Sequence, residues 1–187
     1  MLRALHYSHH LLNELVTKFP GGLFIDGTLG KGNDTLRILN HTDFTGEVFG
    51  FDIQQAAIEQ SMEKIKEHPL AHHAHLLLDS HAHLSNHVGD QAIHGAIFNL
   101  GYLPGGDHSI TTQFESTLQA IHAIQERLVP QGQLILVIYS GHPQGKIEKE
   151  KLFDALSQWP QEEFQVLQYG FINQRNNPPM LLVVEKL

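Results

Sequence analysis

Three glycines within six residues, directly after a short apolar run, constrain the fold of this chain more than any other feature. Residues 24–35 read Phe-Ile-Asp-Gly-Thr-Leu-Gly-Lys-Gly-Asn-Asp-Thr, with glycines at 27, 30 and 32. Glycine tolerates positive φ angles and lets a ligand approach bare backbone. A strand that ends in such a turn and leads into a helix N-terminus forms a pocket of the kind that binds nucleotides. The stretch therefore predicts an α/β fold with a binding loop after its first strand.

An acid before these glycines indicates which ligand the loop binds. Asp26 precedes a G-x-x-G-x-G pattern, which differs from the dinucleotide fingerprint G-x-G-x-x-G. An acid at this position repels a pyrophosphate and suits a ligand with a cationic end. S-adenosylmethionine (SAM), with an amino group, a sulfonium and no phosphate, is such a ligand, so we expect a methyltransferase. The loop residues expected to bind SAM are Asp26, Thr28, Gly30, Gly32, Asn33 and Asp34.

Apolar runs that resemble strands alternate with helix-compatible segments along most of the chain. This alternation predicts βαβ units, hence a largely parallel sheet covered on both faces. Residues 173–179 are too few for a helical crossover, so the last two strands should form an antiparallel pair at one edge. We expect residues 1–187 to form a single Rossmann-like domain with a seven-stranded, mostly parallel sheet, the layout of class I SAM-dependent methyltransferases.

The predicted elements follow an amphipathic N-terminal helix. The predicted strands are 23–26, 47–52, 74–78, 93–99, 133–139, 164–171 and 180–185. The predicted helices are 4–18, 33–40, 54–66, 81–87, 112–128 and 146–158.

Composition limits the chemistry and the partners. The absence of cysteine excludes disulfides, zinc–thiolate sites and thiol catalysis. No apolar run approaches the roughly 20 residues of a membrane span, and the N-terminus lacks the apolar core of a signal peptide. We therefore expect a cytoplasmic protein. Whether it forms a homodimer stays open.

The formal charge of −8 argues against a broad, nonspecific binder of polyanions, although one local basic patch suffices for RNA. The nearest such patch contains Lys146, Lys149 and Lys151, diluted by Glu148 and Glu150.

Histidine is unusually frequent, with 15 residues, six of them between positions 72 and 87. A metal site needs ligands on one face with supporting carboxylates, and no H-E-x-x-H pattern appears. We interpret these histidines as solvated or capping side chains and predict no metal site, although the stretch leaves a bound metal open.

Polar residues end the second and third predicted strands. Asp52 is expected to accept the two hydroxyls of a ribose, with Ile53 against the adenine; the alternative is a carboxylate that caps the next helix. Asp79 could bind the exocyclic amine of adenine and Ser80 a ring nitrogen, with His81 beside them; the alternative is again a helix cap.

The fourth predicted strand leads into Asn99-Leu100-Gly101-Tyr102, which resembles the Asn/Asp-Pro-Pro-Tyr signature of amino-group methyltransferases. An Asn oxygen and a nearby carbonyl can accept both N–H groups of an amine, which directs its lone pair at the methyl carbon. An aromatic ring can stack on the acceptor or lie near the positive methyl group. We therefore predict catalytic roles for Asn99 and Tyr102, with Asn99 also at the cofactor. A plain Gly/Pro turn would explain the glycines but not these two residues.

Two later loops are ambiguous. Tyr139 and His142 follow the fifth predicted strand and could line the acceptor side, or belong to a tight Gly-His-Pro turn. Asp107 and His142 are candidate proton acceptors. Residues 173–179 include Arg175 and could contact a phosphate or a base, or form an ordinary turn.

Four stretches together resemble the YtqB/MnmM methyltransferase family over nearly the whole chain. They are the glycine loop, Phe-Asn-Leu-Gly-Tyr-Leu-Pro-Gly-Gly-Asp, Tyr-Ser-Gly-His-Pro-Gln-Gly and Asn-Gln-Arg-Asn-Asn-Pro-Pro. The resemblance implies a SAM-dependent tRNA methyltransferase acting on the aminomethyl group of 5-aminomethyl-2-thiouridine at the wobble position. The resemblance implies SAM contacts at Asp26, Gly30, Gly32, Asp52 and Asp79, and an acceptor loop with Asn99 and Tyr102.

The implied partner is the anticodon region of tRNA. A flipped-out base would stack on Tyr102 or Tyr139, while Lys146, Lys149 and Arg175 meet phosphates. The alternatives are methylation of rRNA or of a small-molecule amine, a noncatalytic SAM- or RNA-binding module, and a nucleotide-dependent oxidoreductase.

Overall fold

The sheet and its helices follow the predicted alternation closely. The computed structural model describes residues 1–101 and 112–187, so the predicted site residues Tyr102 and Asp107 lie outside it. The strands are β1 (Leu23–Asp26), β2 (Glu47–Asp52), β3 (Ala74–Leu78), β4 (Ile93–Leu100), β5 (Leu128–Ile138), β6 (Phe164–Tyr169) and β7 (Met180–Lys186). The α-helices are α1 (Ala4–Lys18), α2 (Asn33–Leu39), α3 (Gln55–Ile65), α4 (Leu84–Val88), α5 (Phe114–Arg127) and α6 (Pro143–Ser157).

The strand order is β3-β2-β1-β4-β5-β7-β6, and β1 to β5 pair in parallel. The last strand, β7, lies between β5 and β6 and is antiparallel to both, as expected for the reversed strand. The connections change direction between β1 and β4, and ligands bind at such switch points outside the carboxyl ends of the strands. The topology therefore predicts a site above β1 and β4.

Two elements begin earlier than the sequence predicted. Leu128 already pairs with Ile93 at the start of β5, and an irregularity with Gln131 at φ 64° interrupts the strand. The Pro-Gln-Gly sequence at 130–132 had concealed this beginning. Helix α6 starts at Pro143 because proline is accepted at the first helical position, where its missing N–H has no helical partner.

The core lies on both faces of the sheet because neighbouring strand residues point to opposite sides. On one face Phe98 packs with Ile121 of α5; on the other Ile97 packs with Leu12 of α1. A Cβ at Gly27 would lie 2.2 Å from the Phe98 ring, so a side chain there would clash with the core. Gly27 therefore lets the loop after β1 lie directly on β4.

The N-terminal helix α1 is fixed at both its face and its start. Leu12 and Val16 on the inner face of α1 are buried. Just before the helix begins, the Leu2 carbonyl accepts a 2.6 Å hydrogen bond from the Tyr169 hydroxyl. The Tyr7 and Tyr169 rings meet at 4.5 Å between centroids. Across residues 1–101 and 112–187, no helix is long and apolar enough to cross a membrane.

Candidate active site

A cavity of about 530 Å³ lies at the predicted switch point. Its walls come from the loops after β1 to β5 and from α1, which contributes Leu5 and His9. Asn177, from the turn between β6 and β7, closes one side. The residues predicted to bind a ligand that line this cavity are Thr28, Gly30, Asn33, Asp34, Asp52, Ile53, Asp79, Ser80, His81, Asn99, Tyr139 and His142.

The glycine loop is held by hydrogen bonds from its backbone. Gly30 and Gly32 have φ angles of 52° and 69°, values that favour glycine. The Gly30 N–H donates to Asp52 Oδ2 at 2.9 Å, and the Gly30 carbonyl accepts from Ser61 Oγ at 3.0 Å. Gly32 precedes the first residue of α2 and does not line the cavity. Its contribution is therefore the turn itself.

Asp26 lies beneath the loop and not in the cavity wall. Its side chain is fully buried, and Oδ2 accepts from Thr35 Oγ1 at 2.8 Å and from Thr35 N–H at 3.2 Å. Burial, and then the charge of Asp34, raise the pKa of Asp26 to about 7. The acid of this loop that lines the cavity is Asp34, whose side chain is 8% exposed.

The Asp52 side chain accepts two backbone hydrogen bonds and keeps room for the predicted ribose contact. Oδ1 accepts from the Gln54 N–H at 3.0 Å and Oδ2 from the Gly30 N–H at 2.9 Å. An ionised carboxylate oxygen can accept about two hydrogen bonds, so each oxygen retains one acceptor position. Two remaining positions match the two hydroxyls of a ribose. The neighbouring Ile53 is 63% exposed at the cavity, as an adenine platform requires.

Asp79 already accepts more hydrogen bonds within the protein than Asp52 does. Oδ1 accepts from Ser80 N–H and from His83 Nδ1, both at 2.7 Å, while Oδ2 accepts from His87 Nε2 at 2.9 Å. Hydrogen bonds from His87 and His83 lower the pKa of Asp79 to about 2. One acceptor position on Oδ2 remains for an amine. Ser80 also caps the following turn by accepting from Ala82 N–H at 3.2 Å, so the capping alternative is realised as well.

Other histidines of the 72–87 stretch contact acceptors on neighbouring strands and loops. His73 Nδ1 lies 2.7 Å from the Gly46 carbonyl and 3.4 Å from Glu47 Oε1. His75 Nε2 lies 2.7 Å from Glu47 Oε2, and His81 Nδ1 lies 2.8 Å from the Gly27 carbonyl. Burial lowers the pKa of His81, so its ring is neutral. Its Nδ1–H donates to the Gly27 carbonyl, which leaves the lone pair of the ring on Nε2. Within the part of the chain that the structure describes, no group of three or more His, Asp or Glu side chains is arranged so that it could hold a metal ion.

Asn99 is held from two sides at the end of β4. Its main-chain N–H donates to Thr28 Oγ1 at 2.6 Å, and its Nδ2 donates to Asp34 Oδ2 at 2.7 Å. A carboxylate only accepts, so the amide must turn its nitrogen towards Asp34 and its Oδ1 away from it. His9 Nε2 lies 3.1 Å from the other oxygen, Asp34 Oδ1. Sequence periodicity gave no sign of His9, because it is one of several histidines on the polar side of α1.

Tyr139 and His142 line the cavity at the end of β5, as one of their two alternatives predicted. Burial, and then the charge of Asp34, raise the pKa of Tyr139, so its hydroxyl stays protonated at neutral pH. His142 Nδ1 accepts from Gly145 N–H at 3.0 Å and caps α6, which places the proton of a neutral ring on Nε2. To accept a further proton, His142 must give up this cap.

The residues on either side of 102–111 are tied together by a buried acid. Thr112 Oγ1 accepts from Gly101 N–H at 2.9 Å and donates to Glu148 Oε2 at 2.7 Å; Thr117 Oγ1 donates to Glu148 Oε1 at 2.9 Å. Burial raises the pKa of Glu148, which is 1% exposed. Glu148, which the sequence suggested would dilute the basic patch around Lys146, is instead buried in α6 and accepts a hydrogen bond from Thr117 of α5. Only the three-dimensional packing reveals its partners.

The residues proposed to meet phosphates lie outside the cavity. Lys146 and Arg175 are exposed, and Lys149 is half-buried. Lys151 of the same basic patch lies with its Nζ 3.4 Å from Glu115 Oε1. Asn177, at φ 46°, connects the 173–179 turn to the cavity rim. The segment therefore connects β6 to β7, as the turn alternative predicted, and it also contacts the candidate site through Asn177.

Comparisons with known proteins identify relatives. Residues 48–185 match the model of a family described as "Putative rRNA methylase". A chloroplastic tRNA (mnm(5)s(2)U34)-methyltransferase of Arabidopsis thaliana is 31% identical over 196 residues, covering 98% of this chain and 70% of the relative. A Clostridium thermocellum "putative rRNA-methylase" superposes with a TM-score of 0.94 at 38% identity, covering 100% and 99% of the chains. A Streptococcus mutans methyltransferase in complex with SAH gives 0.89 at 35% identity, with the same coverage.

Proposed function

This chain belongs to the "Putative rRNA methylase" family. We propose that the protein transfers a methyl group from SAM to the aminomethyl nitrogen of 5-aminomethyl-2-thiouridine at the tRNA wobble position. The predicted family, the class I fold and the predicted SAM-dependent methyltransferase activity are confirmed. The tRNA substrate, the anticodon contact and a cytoplasmic location belong to the proposal.

The residues of the cavity fit SAM in both its parts. Asp52 offers two acceptor positions for the ribose hydroxyls, with Ile53 exposed beside it. Asp34 supplies a nearly buried carboxylate for the cationic methionine end. When bound, SAM supplies an electrophilic methyl group and takes back the electron pair of the carbon–sulfur bond as S-adenosylhomocysteine.

The orientation of the Asn99 amide is the observation that carries the proposed acceptor chemistry. With Nδ2 on Asp34, Oδ1 is directed away from the carboxylate and can accept an N–H of the incoming amine. Accepting that N–H orients the nitrogen lone pair for in-line attack, and alignment of this kind is worth roughly 7–11 kcal/mol. A primary amine must be neutral to attack, and the partly desolvated cavity favours its neutral form.

The RNA side of the proposal rests on residues around the rim. Tyr139 offers a ring on which a flipped base can stack, and Asn177, which also lines the cavity, offers an amide. Exposed Lys146 and Arg175 can meet phosphates, so affinity for the anticodon stem-loop should fall as salt rises, with a slope of a few contacts. Salt-independent binding would remove RNA from the proposal.

The deciding experiment is methyl transfer from labelled SAM to total RNA from a strain lacking this gene, followed by nucleoside mass spectrometry. A gain of one methyl on 5-aminomethyl-2-thiouridine supports the proposal, and the Asn99→Ala variant should lose this turnover while it still binds SAM. Label in ribosomal RNA alone would favour the rRNA alternative. SAM binding without transfer to any RNA would favour a small-molecule amine.

A further inference from the structure

The edge of the sheet that holds the cavity also carries the start of α1 and the tip of the β6–β7 hairpin. Strands β4 and β5 end at this edge, and β7 is antiparallel to β5 and β6, so β6 ends and β7 begins there as well. The start of α1 is fixed at the same place, because the Leu2 carbonyl accepts a hydrogen bond from Tyr169, the last residue of β6. Two segments from opposite ends of the chain therefore meet beside the cavity.

These two segments carry no acidic residue. Neither residues 1–13 nor residues 164–184 contain Asp or Glu, although the chain has 20 acids against 12 Lys and Arg. The first segment contributes Arg3 and the second Arg175, and both side chains are exposed. A chain with a net charge of −8 repels a polyanion over most of its surface. A polyanion that approaches the cavity is therefore repelled least over these two segments.

Aromatic rings lie on the same two segments. The Tyr7 ring lies 6.1 Å from the His10 ring, with an angle of 26° between their planes, and 4.5 Å from the Tyr169 ring. The Phe171 ring lies 6.3 Å from Tyr169. His10 is exposed, and the other three rings are half-buried. Unpaired RNA bases stack on rings of this kind, while arginines bind the phosphates between them.

The residues that combine these properties form what we call the α1–hairpin surface. It consists of Arg3, Tyr7, His10, Tyr169, Phe171 and Arg175. The surface continues into the cavity, because Leu5 and His9 of α1 and Asn177 of the hairpin line the cavity wall. A nucleotide whose base enters the cavity stays joined to its neighbours, so these neighbours must lie on the rim.

We propose that the α1–hairpin surface binds the single-stranded RNA nucleotides next to the methylated one, with their bases on its rings and their phosphates at Arg3 and Arg175. This inference rests on the proposed RNA methylation. It assigns the main RNA contact to this surface instead of the α6 patch, where acids alternate with Lys146 and Lys149.

Three variants of the full chain test this assignment. Arg3→Gln and Arg175→Gln each remove one positive charge, and Phe171→Leu keeps an apolar side chain but loses the ring. The matched control is Lys18→Gln, which removes an exposed cation from the other end of α1. Binding of a fluorescent anticodon stem-loop RNA is measured from about 50 to 200 mM salt, together with the Kd for SAM.

The two kinds of variant should differ in their salt dependence. Each arginine variant should lower the slope of log K against log salt by about 0.7, the value for one phosphate of a single strand. Phe171→Leu should raise the Kd for RNA by about fivefold or more and leave the slope unchanged. The Kd for SAM should stay within about twofold throughout, since none of these side chains lines the cavity. Lys18→Gln should match the wild type.

The outcomes separate this inference from the proposed function. If the wild type methylates RNA and all three variants keep its Kd and its salt slope, the surface assignment is wrong and the proposed function stands. If the wild type neither binds nor methylates RNA, the proposed function fails and the surface assignment fails with it.

A second copy of the chain is the competing occupant, because Ile172 beside Phe171 is fully exposed. Sedimentation of the wild type and of Phe171→Leu distinguishes the two occupants. A wild-type dimer that dissociates in Phe171→Leu, with unchanged affinity for RNA, would assign the surface to a second copy and overturn the proposal. An unchanged oligomeric state with weakened RNA binding supports it.

Discussion

The main-chain N–H of Asn99 donates a 2.6 Å hydrogen bond to Thr28 Oγ1. This bond joins the end of β4 to the glycine loop after β1, two strands that lie side by side in the sheet. The loop that we propose binds the cofactor and the strand end that we propose binds the acceptor are thus joined at one hydroxyl.

Replacing this hydroxyl should therefore affect catalysis more than cofactor binding. Thr28→Val keeps the shape but leaves the Asn99 N–H without its partner, a loss of about 1–3 kcal/mol in the free energy of unfolding. We expect kcat to fall with little change in the Kd for SAM, and Thr28→Ser to retain both values. Denaturant unfolding and steady-state kinetics measure the two effects. Equal behaviour of the Val and Ser variants would show that the hydroxyl is dispensable.

Asp52 and Asp79 should differ in their weight in SAM binding. Asp52 keeps an acceptor position on each oxygen, whereas Asp79 keeps one. Asp52→Asn places an NH₂ group against a backbone N–H, so we expect the Kd for SAM to rise by at least about tenfold, and less for Asp79→Asn. Calorimetry measures this, with Asp43→Asn on an exposed turn as control. The reverse ranking would exchange the roles of the two acids.

Glu148 should matter for acceptor methylation although it lies behind the cavity. Both its oxygens accept from threonine hydroxyls, and Thr112 in turn accepts from Gly101 N–H. Glu148→Gln turns a donor towards one of these hydroxyls and disturbs the residue that follows Leu100. We expect about a tenfold loss of kcat, with SAM binding retained. The exposed neighbour, as Glu150→Gln, is the control, and a wild-type kcat in Glu148→Gln would reject the role.

The stability of the protein should depend on pH through Asp26. Its folded pKa of about 7 lies above the usual 3.8 of a free aspartate, so between these pH values the folded state holds a proton that the unfolded chain has already lost. This contribution to the free energy of unfolding is fully present below pH 3.8 and is lost as pH rises through about 7. Asp26→Asn keeps an oxygen for Thr35 and cannot ionise, so its stability should fall less over this range. The difference between variant and wild type isolates Asp26, since the other residues of the two proteins are the same. Parallel unfolding curves would exclude a raised pKa.

The sequence predicted those features that depend on local pattern. The bounds of α1 and β1 follow from apolar spacing and from the Pro-Gly-Gly stop between them, and both agree with the structure. The start of β5 did not follow, because Pro130 and Gly132 are ordinary turn residues that here lie within a strand. Local pattern governs element boundaries only where tertiary pairing does not override it.

The sequence predicted the loops that line the candidate site, but not the residues that lie behind or beside those loops. The glycine loop and the strand-end acids carry recognisable spacings, so most of them were found on the cavity wall. His9 and Glu148 carry no such spacing, because each lies beside a residue at least 25 positions away. His9 lies beside Asp34, and Glu148 accepts a hydrogen bond from Thr112. The depth of Asp26 likewise depends on how β1 is covered, which no local pattern encodes.

The hydrogen bond between Tyr169 and Leu2 spans 167 positions of the chain. A ribosome makes α1 first, yet the helix packs against β5 and β7, which emerge much later. Until those strands emerge, its apolar face can pack only against earlier elements such as α2 and β4. Long loops must close before these contacts form, which slows folding and leaves apolar surface open to chaperones. The packing of α1 beside the cavity is therefore complete only after the C-terminal strands have been added.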